Sequence, residues 1–220
     1  MTARVITVAN QKGGSGKTSL SMVLAGSIAQ RGYKVLVVDA DAQGTATQWA
    51  GAAPEDKPFP ATVIGMAHAQ AKLHQMIKPM MADYGVIIID CPPSVEGQAA
   101  QSALLISDVC LMPVQPTPAD MWATVGVMEL VSKAQVINPE LVAFGVPNRV
   151  SSSSLGKQVL EALKETGVEL LDARLGNRTS FQEATIRGST PQQMGAAHKV
   201  AAAEVEALVT ELFRRVGWSK

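Results

Sequence analysis

The stretch Asn10-Gln-Lys-Gly-Gly-Ser-Gly-Lys-Thr-Ser19 sets two lysines around three glycines. Glycines so spaced let successive backbone N–H groups turn inward around an anion. Gly16-Lys17-Thr18 matches the end of the phosphate-loop pattern G-x-x-x-x-G-K-[ST]. Gln11 stands where its first glycine belongs. A β-branched run from Arg4 to Ala9 precedes the stretch and a helical period follows it. A helix N-terminus there adds partial positive charge. Gly13, Gly14, Ser15, Gly16, Lys17, Thr18 and Ser19 are therefore candidate phosphate-binding residues. Lys17 suits bridging the terminal phosphates, and the Thr18 hydroxyl suits Mg²⁺.

Three carboxylates agree with that chemistry. Asp90 closes the apolar run Val86-Ile-Ile-Ile-Asp90 and is read as holding a Mg²⁺-bound water, as a Walker B aspartate does. Asp39 and Asp41 follow a second apolar run. If the strand period continues, both point to one side, one supporting the metal and the other orienting a water. A solvated pair in a turn is the alternative. Lys12 precedes the first glycine, and Lys17 already fills the usual lysine position. Lys12 could reach a phosphate presented by a facing copy, as an arginine finger does. The residues themselves leave this open against a solvated lysine.

These side chains need elements to position them. Leu20, Val23, Leu24 and Ile28 recur at helical spacing over 18–31, and Gly32 ends that helix. Strands are expected over 34–39, 86–90, 108–114 and 141–146, with a short one near 168–171. Residues 51–62, with three prolines, read as a loop. Helices are expected over 66–81, 119–136, 155–165 and 197–216. The last has Ala201, Val205, Leu208, Leu212 and Val216 on one face. Strands alternating with helices predict an α/β fold, a mostly parallel twisted sheet flanked by helices on both faces. With no linker or repeat, 1–220 is expected to be one domain.

Composition narrows the classes. Hydrophobic residues make up 47% and aromatics 4%, so small aliphatic side chains and methionine must fill the core. Net charge is zero, and residues 1–147 and 148–220 carry −2 and +2. No global field draws the chain to nucleic acid, so any DNA contact must be local. No run approaches the roughly 20 apolar residues of a membrane span. With no signal-like start, the expected location is cytoplasmic. Cys91 and Cys110 read as buried thiols in a reducing compartment.

K-G-G-S-G-K-T, the D-A-D-A-Q-G-T of 39–45, the I-I-I-D-C-P-P-S of 87–94 and the N-R of 148–149 resemble the ParA/MinD family of deviant-Walker P-loop ATPases. The similarity spans essentially the whole chain, and its length resembles the small, ParF-like ParA subgroup. The resemblance implies a weak, partner-stimulated ATPase requiring ATP and Mg²⁺, which forms an ATP-sandwich homodimer. In it Lys12 contacts the partner's nucleotide, Asp41 orients the water, Asp39 supports the metal region and Asn148, beside Arg149, contacts adenine. The proline-rich segment with Pro118 and Asp120 is implied to reach the partner's nucleotide. Ala42 replaces the family's usual proline, which should loosen that loop.

The resemblance also implies nonspecific DNA (nucleoid) binding when ATP is bound, and segregation or positioning of a cargo. A ParB-like or cargo-adaptor partner would stimulate hydrolysis. Candidate DNA contacts are Arg178, Arg187, Lys199, Arg214 and Arg215. A second reading is a MinD-like membrane-associated ATPase, with Phe213, Val216 and Trp218 among the basic residues of the tail F-R-R-V-G-W-S-K. The alanine-rich helix before that tail reads as a packing helix, which makes membrane anchoring the less favoured reading. A third, an iron–sulfur redox protein, would need cysteines able to bridge two copies.

Overall fold

The computed structural model describes residues 3–94, 97–151 and 154–218. Six strands form one parallel sheet, β1 (Arg4–Val8), β2 (Val35–Asp39), β3 (Thr62–Gly65), β4 (Val86–Asp90), β5 (Val109–Val114) and β6 (Val142–Pro147). Their order across the sheet is β3-β2-β4-β1-β5-β6. Both faces are covered, so the central strands are apolar on both sides, as parallel strands require. Alternate residues serve the two cores. Ile87 and Ile89 face one, while Val86 and Ile88 face the other. Each fully buried isoleucine or leucine contributes about 1.5–3 kcal/mol of transfer free energy.

One face carries α3 (Leu73–Ile77), α4 (Gln98–Leu104), α5 (Pro118–Gln135) and α6 (Ser154–Glu165). The other carries α1 (Lys17–Gln30), α2 (Thr45–Gly51), α7 (Thr179–Ile186) and α8 (Lys199–Arg215). Helix α1 lies between sheet and α8 and buries residues on nearly every side. Ala201, Val205, Leu208 and Leu212 of α8 are buried, as their spacing predicts.

Several elements depart from the sequence-based expectation. The stretch 66–81 is not one helix. It is a 3-10 segment over Ala67–Lys72, then α3, then a second 3-10 segment over Lys78–Ala82. Gln70 at φ 43° breaks the first, and Pro79 cannot donate within the last. Thr45–Gly51 forms α2, anchored by Trp49, which is buried and donates from Nε1 to the Ser189 carbonyl at 2.9 Å. β3, α4 and α7 are also additions to the sequence reading. The expected strand at 168–171 is only a bridge between Leu170 and Gly145.

Candidate nucleotide-binding site

β1, β2 and β4 bring the candidate residues together at their C-terminal ends. Val8 and Asp39 both register with Asp90 on adjacent strands. Ligands in open α/β sheets bind in this crevice, beyond the carboxyl ends of the strands. The glycine loop leaves β1 and enters α1 there. Gly14 and Gly16 take φ of 72° and 96°, which a side chain at either position would resist. A Cβ on Gly13 or Gly14 would meet nothing within 4 Å, so this part of the loop borders open space. Gly16 is different. A Cβ there would lie 2.3 Å from Asn148 Nδ2.

Lys17 is 6% exposed, and its ammonium donates to the Lys12 carbonyl at 3.2 Å. Burial lowers its pKa, against the opposing pull of Asp90. Asp90 is buried and receives Thr18 Oγ1 at 2.6 Å and Ser21 Oγ at 3.1 Å. Burial pushes its carboxyl up to about 7, with nearby Asp39 adding to the shift. The site thus holds an ammonium and a carboxylate that both lack enough water to be comfortable as ions. Ser15 Oγ is buried without a hydrogen-bond partner. An orphaned buried hydroxyl in a glycine loop fits an anionic ligand that would pair with it. A hydroxyl, Thr18, touching a carboxylate, Asp90, is a hard oxygen pair of the kind Mg²⁺ shares with phosphates.

Asp39 and Asp41 do not share one environment. β2 ends at Asp39, so the strand period does not continue to Asp41. Asp39 is buried and accepts from Thr47 N at 2.9 Å and Thr47 Oγ1 at 3.0 Å. It thereby ties β2 to the first turn of α2. Asp41 is half-exposed, accepts from Gln43 N at 3.0 Å and acts electrostatically on Lys17.

Lys12 folds onto α5. Its Nζ lies 2.6 Å from Asp120 Oδ2, and Asp120 is wholly buried. Thr117 caps α5, Pro118 occupies its first turn, and the Thr117 hydroxyl also bonds Asp120. The second oxygen of Asp120 has no partner. Asn148 Nδ2 donates to the Ser15 carbonyl at 2.8 Å, clamping the loop from β6. Arg149 follows at φ 51°, exposed. Ser19, Asn148, Arg149, Gly176, Arg178 and Phe181 border a narrow cavity of ≈ 70 Å³ behind the loop. A wider cavity of ≈ 590 Å³ between α4 and α5 meets the loop only at Gln11.

Three supporting residues escaped the sequence reading. Asn10 donates to the Pro113 carbonyl at 2.8 Å and accepts from Lys12 N. Gln115 donates to the Gly14 carbonyl at 2.7 Å. Thr47 holds Asp39. Only Asn10 carries a local signal, its place at the head of the loop.

The five candidate DNA residues lie apart from this site, except Arg178. Arg178 pairs with Glu204, Arg187 with Glu183 at 3.6 Å and Arg215 with Glu169. Arg215 also lies over the Phe144 ring. Lys199 and Arg214 are exposed, and neither has an ion-pair partner among the described residues. Both cysteines are fully buried, and burial pushes the Cys110 thiol up to about 12. Thiols so placed are not positioned to bridge two copies.

Residues 6–191 match the family described as the CobQ/CobB/MinD/ParA nucleotide binding domain. Over 211 residues the chain is 29% identical to the maintenance of carboxysome distribution protein A of Halothiobacillus neapolitanus, covering 96% of each. It is 28% identical over 204 residues to the sporulation initiation inhibitor protein Soj of Bacillus subtilis, covering 74% of this chain and 79% of that one. The fold superposes on the ATP complex of a Cyanothece McdA variant with a TM-score of 0.80, at 18% identity, covering 99% of this chain and 98% of that one. It superposes on the cell division ATPase MinD of Pyrococcus furiosus with a TM-score of 0.79, at 23% identity, covering 97% and 99%. The family match takes in the glycine loop, the last three residues of β1 and the other five strands, and the same fold recurs in these solved structures, so the chain belongs to the CobQ/CobB/MinD/ParA nucleotide-binding family.

Proposed function

We propose that this chain is a ParA-type ATP hydrolase that positions or segregates a cargo. The observation that carries the reading is the conjunction of an open glycine cradle, an unpartnered Ser15 hydroxyl and the contact between Thr18 and Asp90. The backbone from Gly13 to Ser19, with Lys17, binds the phosphates. Asn148 and Arg149 lie on the adenine side. Thr18, Asp90 and Asp39 hold or support Mg²⁺, which neutralises charge developing on the phosphates. Asp41, half-exposed beside Lys17, orients the attacking water.

Lys12 supplies charge in trans across a sandwich dimer, with Pro118 near the partner, whereas Asp120, wholly buried under Lys12 and Thr117, does not reach the partner's nucleotide as the resemblance implies. The pairing of Lys12 with Asp120 supports this, because it holds Lys12 away from its own loop until a second copy offers a better anion. Each closure exchanges one charge-assisted contact for another. The similarity to a carboxysome distribution protein supports a positioning role. In that role the ATP-bound dimer binds DNA nonspecifically, resides in the cytoplasm on the nucleoid, and is released when a ParB-like or cargo-adaptor protein stimulates weak hydrolysis.

The membrane reading gains no support from the tail. Phe213 is 5% exposed and packs edge-on with Tyr33 and Trp218, while Arg4 lies over Trp218. These rings are engaged with the body of the protein, and Lys220 lies outside the described residues. No helix among the described residues is long and apolar enough to cross a membrane.

Light scattering with Mg²⁺ and a non-hydrolysable ATP analogue tests the dimer. The wild-type chain should double in mass, and Lys12→Ala should remain single. A variant that dimerises normally removes Lys12 from the role assigned to it.

A further inference from the structure

The narrow cavity behind the phosphate loop has a wall that no phosphate-loop pattern specifies. Its residues 175–178 form a short irregular segment suspended between two elements. On one side it is tied to the end of β6. Leu175 N donates to the Pro147 carbonyl at 2.9 Å and Val150 N to the Leu175 carbonyl at 3.0 Å. On the other side it is tied to α8 by one carboxylate. Glu204 Oε2 accepts from Gly176 N at 3.1 Å and from Arg178 Nε at 2.9 Å, while Oε1 accepts Arg178 Nη2 at 2.6 Å. Two parallel N–H···O bonds set the plane of the guanidinium as well as its place.

Gly176 lies directly against this pair, although Arg178 itself is exposed. A Cβ on Gly176 would lie 3.2 Å from both Arg178 Nε and Glu204 Oε1. Arg178 is also the residue from which α7 starts, and α7 carries Phe181 and Gln182 into the same cavity. The opposite wall is Gly16, Ser19 and Asn148, and Asn148 holds the Ser15 carbonyl. A segment with so little regular structure of its own adopts one conformation only because its ends and its one charge are held.

We propose that Glu204 is a positioning residue for the base end of the bound nucleotide. This rests on the nucleotide reading above. Glu204 holds Arg178 and the Gly176 backbone as a preformed wall, so the nucleotide does not bear the ordering cost of residues 175–178 on binding. Helix α8 thereby becomes part of the nucleotide site although none of its residues belongs to the phosphate loop. The same bonds tie the Arg178 charge to the pocket and withdraw it from any DNA surface.

The test is calorimetric titration of the full chain with Mg·ATP, Mg·ADP, Mg·GTP and inorganic tripolyphosphate, for wild type, Glu204→Gln, Glu204→Ala, Arg178→Ala and the double alanine variant. Glu204→Ala should weaken ATP and ADP by about tenfold, the scale of a lost charge-assisted hydrogen bond. Tripolyphosphate should stay within about twofold, since Glu204 does not touch the phosphate loop. Any difference between ATP and GTP affinity in the wild type should shrink. Glu204→Gln, which keeps size and one acceptor, should fall between. The double variant should lose no more than the worse single one, because both remove one unit. Unchanged ATP affinity in Glu204→Ala would overturn the proposal. So would a parallel loss of tripolyphosphate binding, which signals general loosening. A wild-type chain that binds neither ATP nor tripolyphosphate would instead sink the nucleotide reading.

Discussion

At the phosphate loop, charged groups are buried and turned toward one another, whereas on the surface made by α7 and α8 they are more exposed and paired with carboxylates of neighbouring segments. Lys17 and Asp90 are 6% and 1% exposed, and burial shifts both toward their neutral forms. Desolvating two ions costs several kcal/mol apiece. A fold keeps such groups only where a ligand or a mechanism compensates. None of the Arg–Glu pairs of α7 and α8 is buried to that degree. Arg187 pairs with Glu183 one helical turn away, and an exposed pair of that kind contributes about 0.3–0.5 kcal/mol. Burial thus sets Lys17 and Asp90 apart from the paired charges of α7 and α8.

Substitutions can break or sharpen this contrast. The largest effect should come from Lys17→Ala, which removes the buried ammonium that donates to the Lys12 carbonyl within the loop. ATP affinity should drop on the order of 100-fold by calorimetry, with the fold retained by circular dichroism. A drop of less than about threefold would place phosphate binding elsewhere. Next, Asp41→Ala should leave ATP affinity nearly intact and slow partner-stimulated turnover by about 100-fold, the scale of a lost water-orienting group. Normal phosphate release in a coupled assay would remove Asp41 from that role.

The smallest effects belong to the outer surface, and there the contrast becomes sharper. Lys199→Ala and Arg214→Ala should each weaken binding of the ATP-bound chain to random-sequence duplex. Each should lower the salt slope by about one unit per lost phosphate contact. Arg215→Ala should change DNA affinity by less than about twofold, because Glu169 and the Phe144 ring already engage that guanidinium. Equal losses at Arg215 and Lys199, measured by fluorescence anisotropy across salt, would show that the carboxylate pairing does not govern DNA contact.

How much of the site was legible follows from how local its parts are. Gly13 to Ser19 are contiguous, so the loop between β1 and α1 could be placed from the chain alone. Asp90 was legible because it ends an apolar run. Gln115 was not, because the carbonyl it reaches, on Gly14, is 101 positions away. Glu204 was not either, since its partners at 176 and 178 lie across a segment with no periodicity. Asp39 was visible as a carboxylate after a strand. Its bond to Thr47 depends on α2, a helix of seven residues whose own pattern is too short to read.

The basic residues show the limit most plainly. Arg178, Arg187 and Arg215 look as available as Lys199 and Arg214 in the chain, and only packing brings Glu204, Glu183 and Glu169 onto the first three. The amino-acid order by itself determined the parallel α/β sheet and the glycine turn between β1 and α1. Hydrophobic period and glycine geometry act over a few residues and need no distant partner. Tertiary structure decided which charges stay free, where Lys12 rests and which helix braces the far wall of the pocket. Those outcomes depend on groups far apart in the chain meeting at hydrogen-bond distance, and no local pattern records such a meeting.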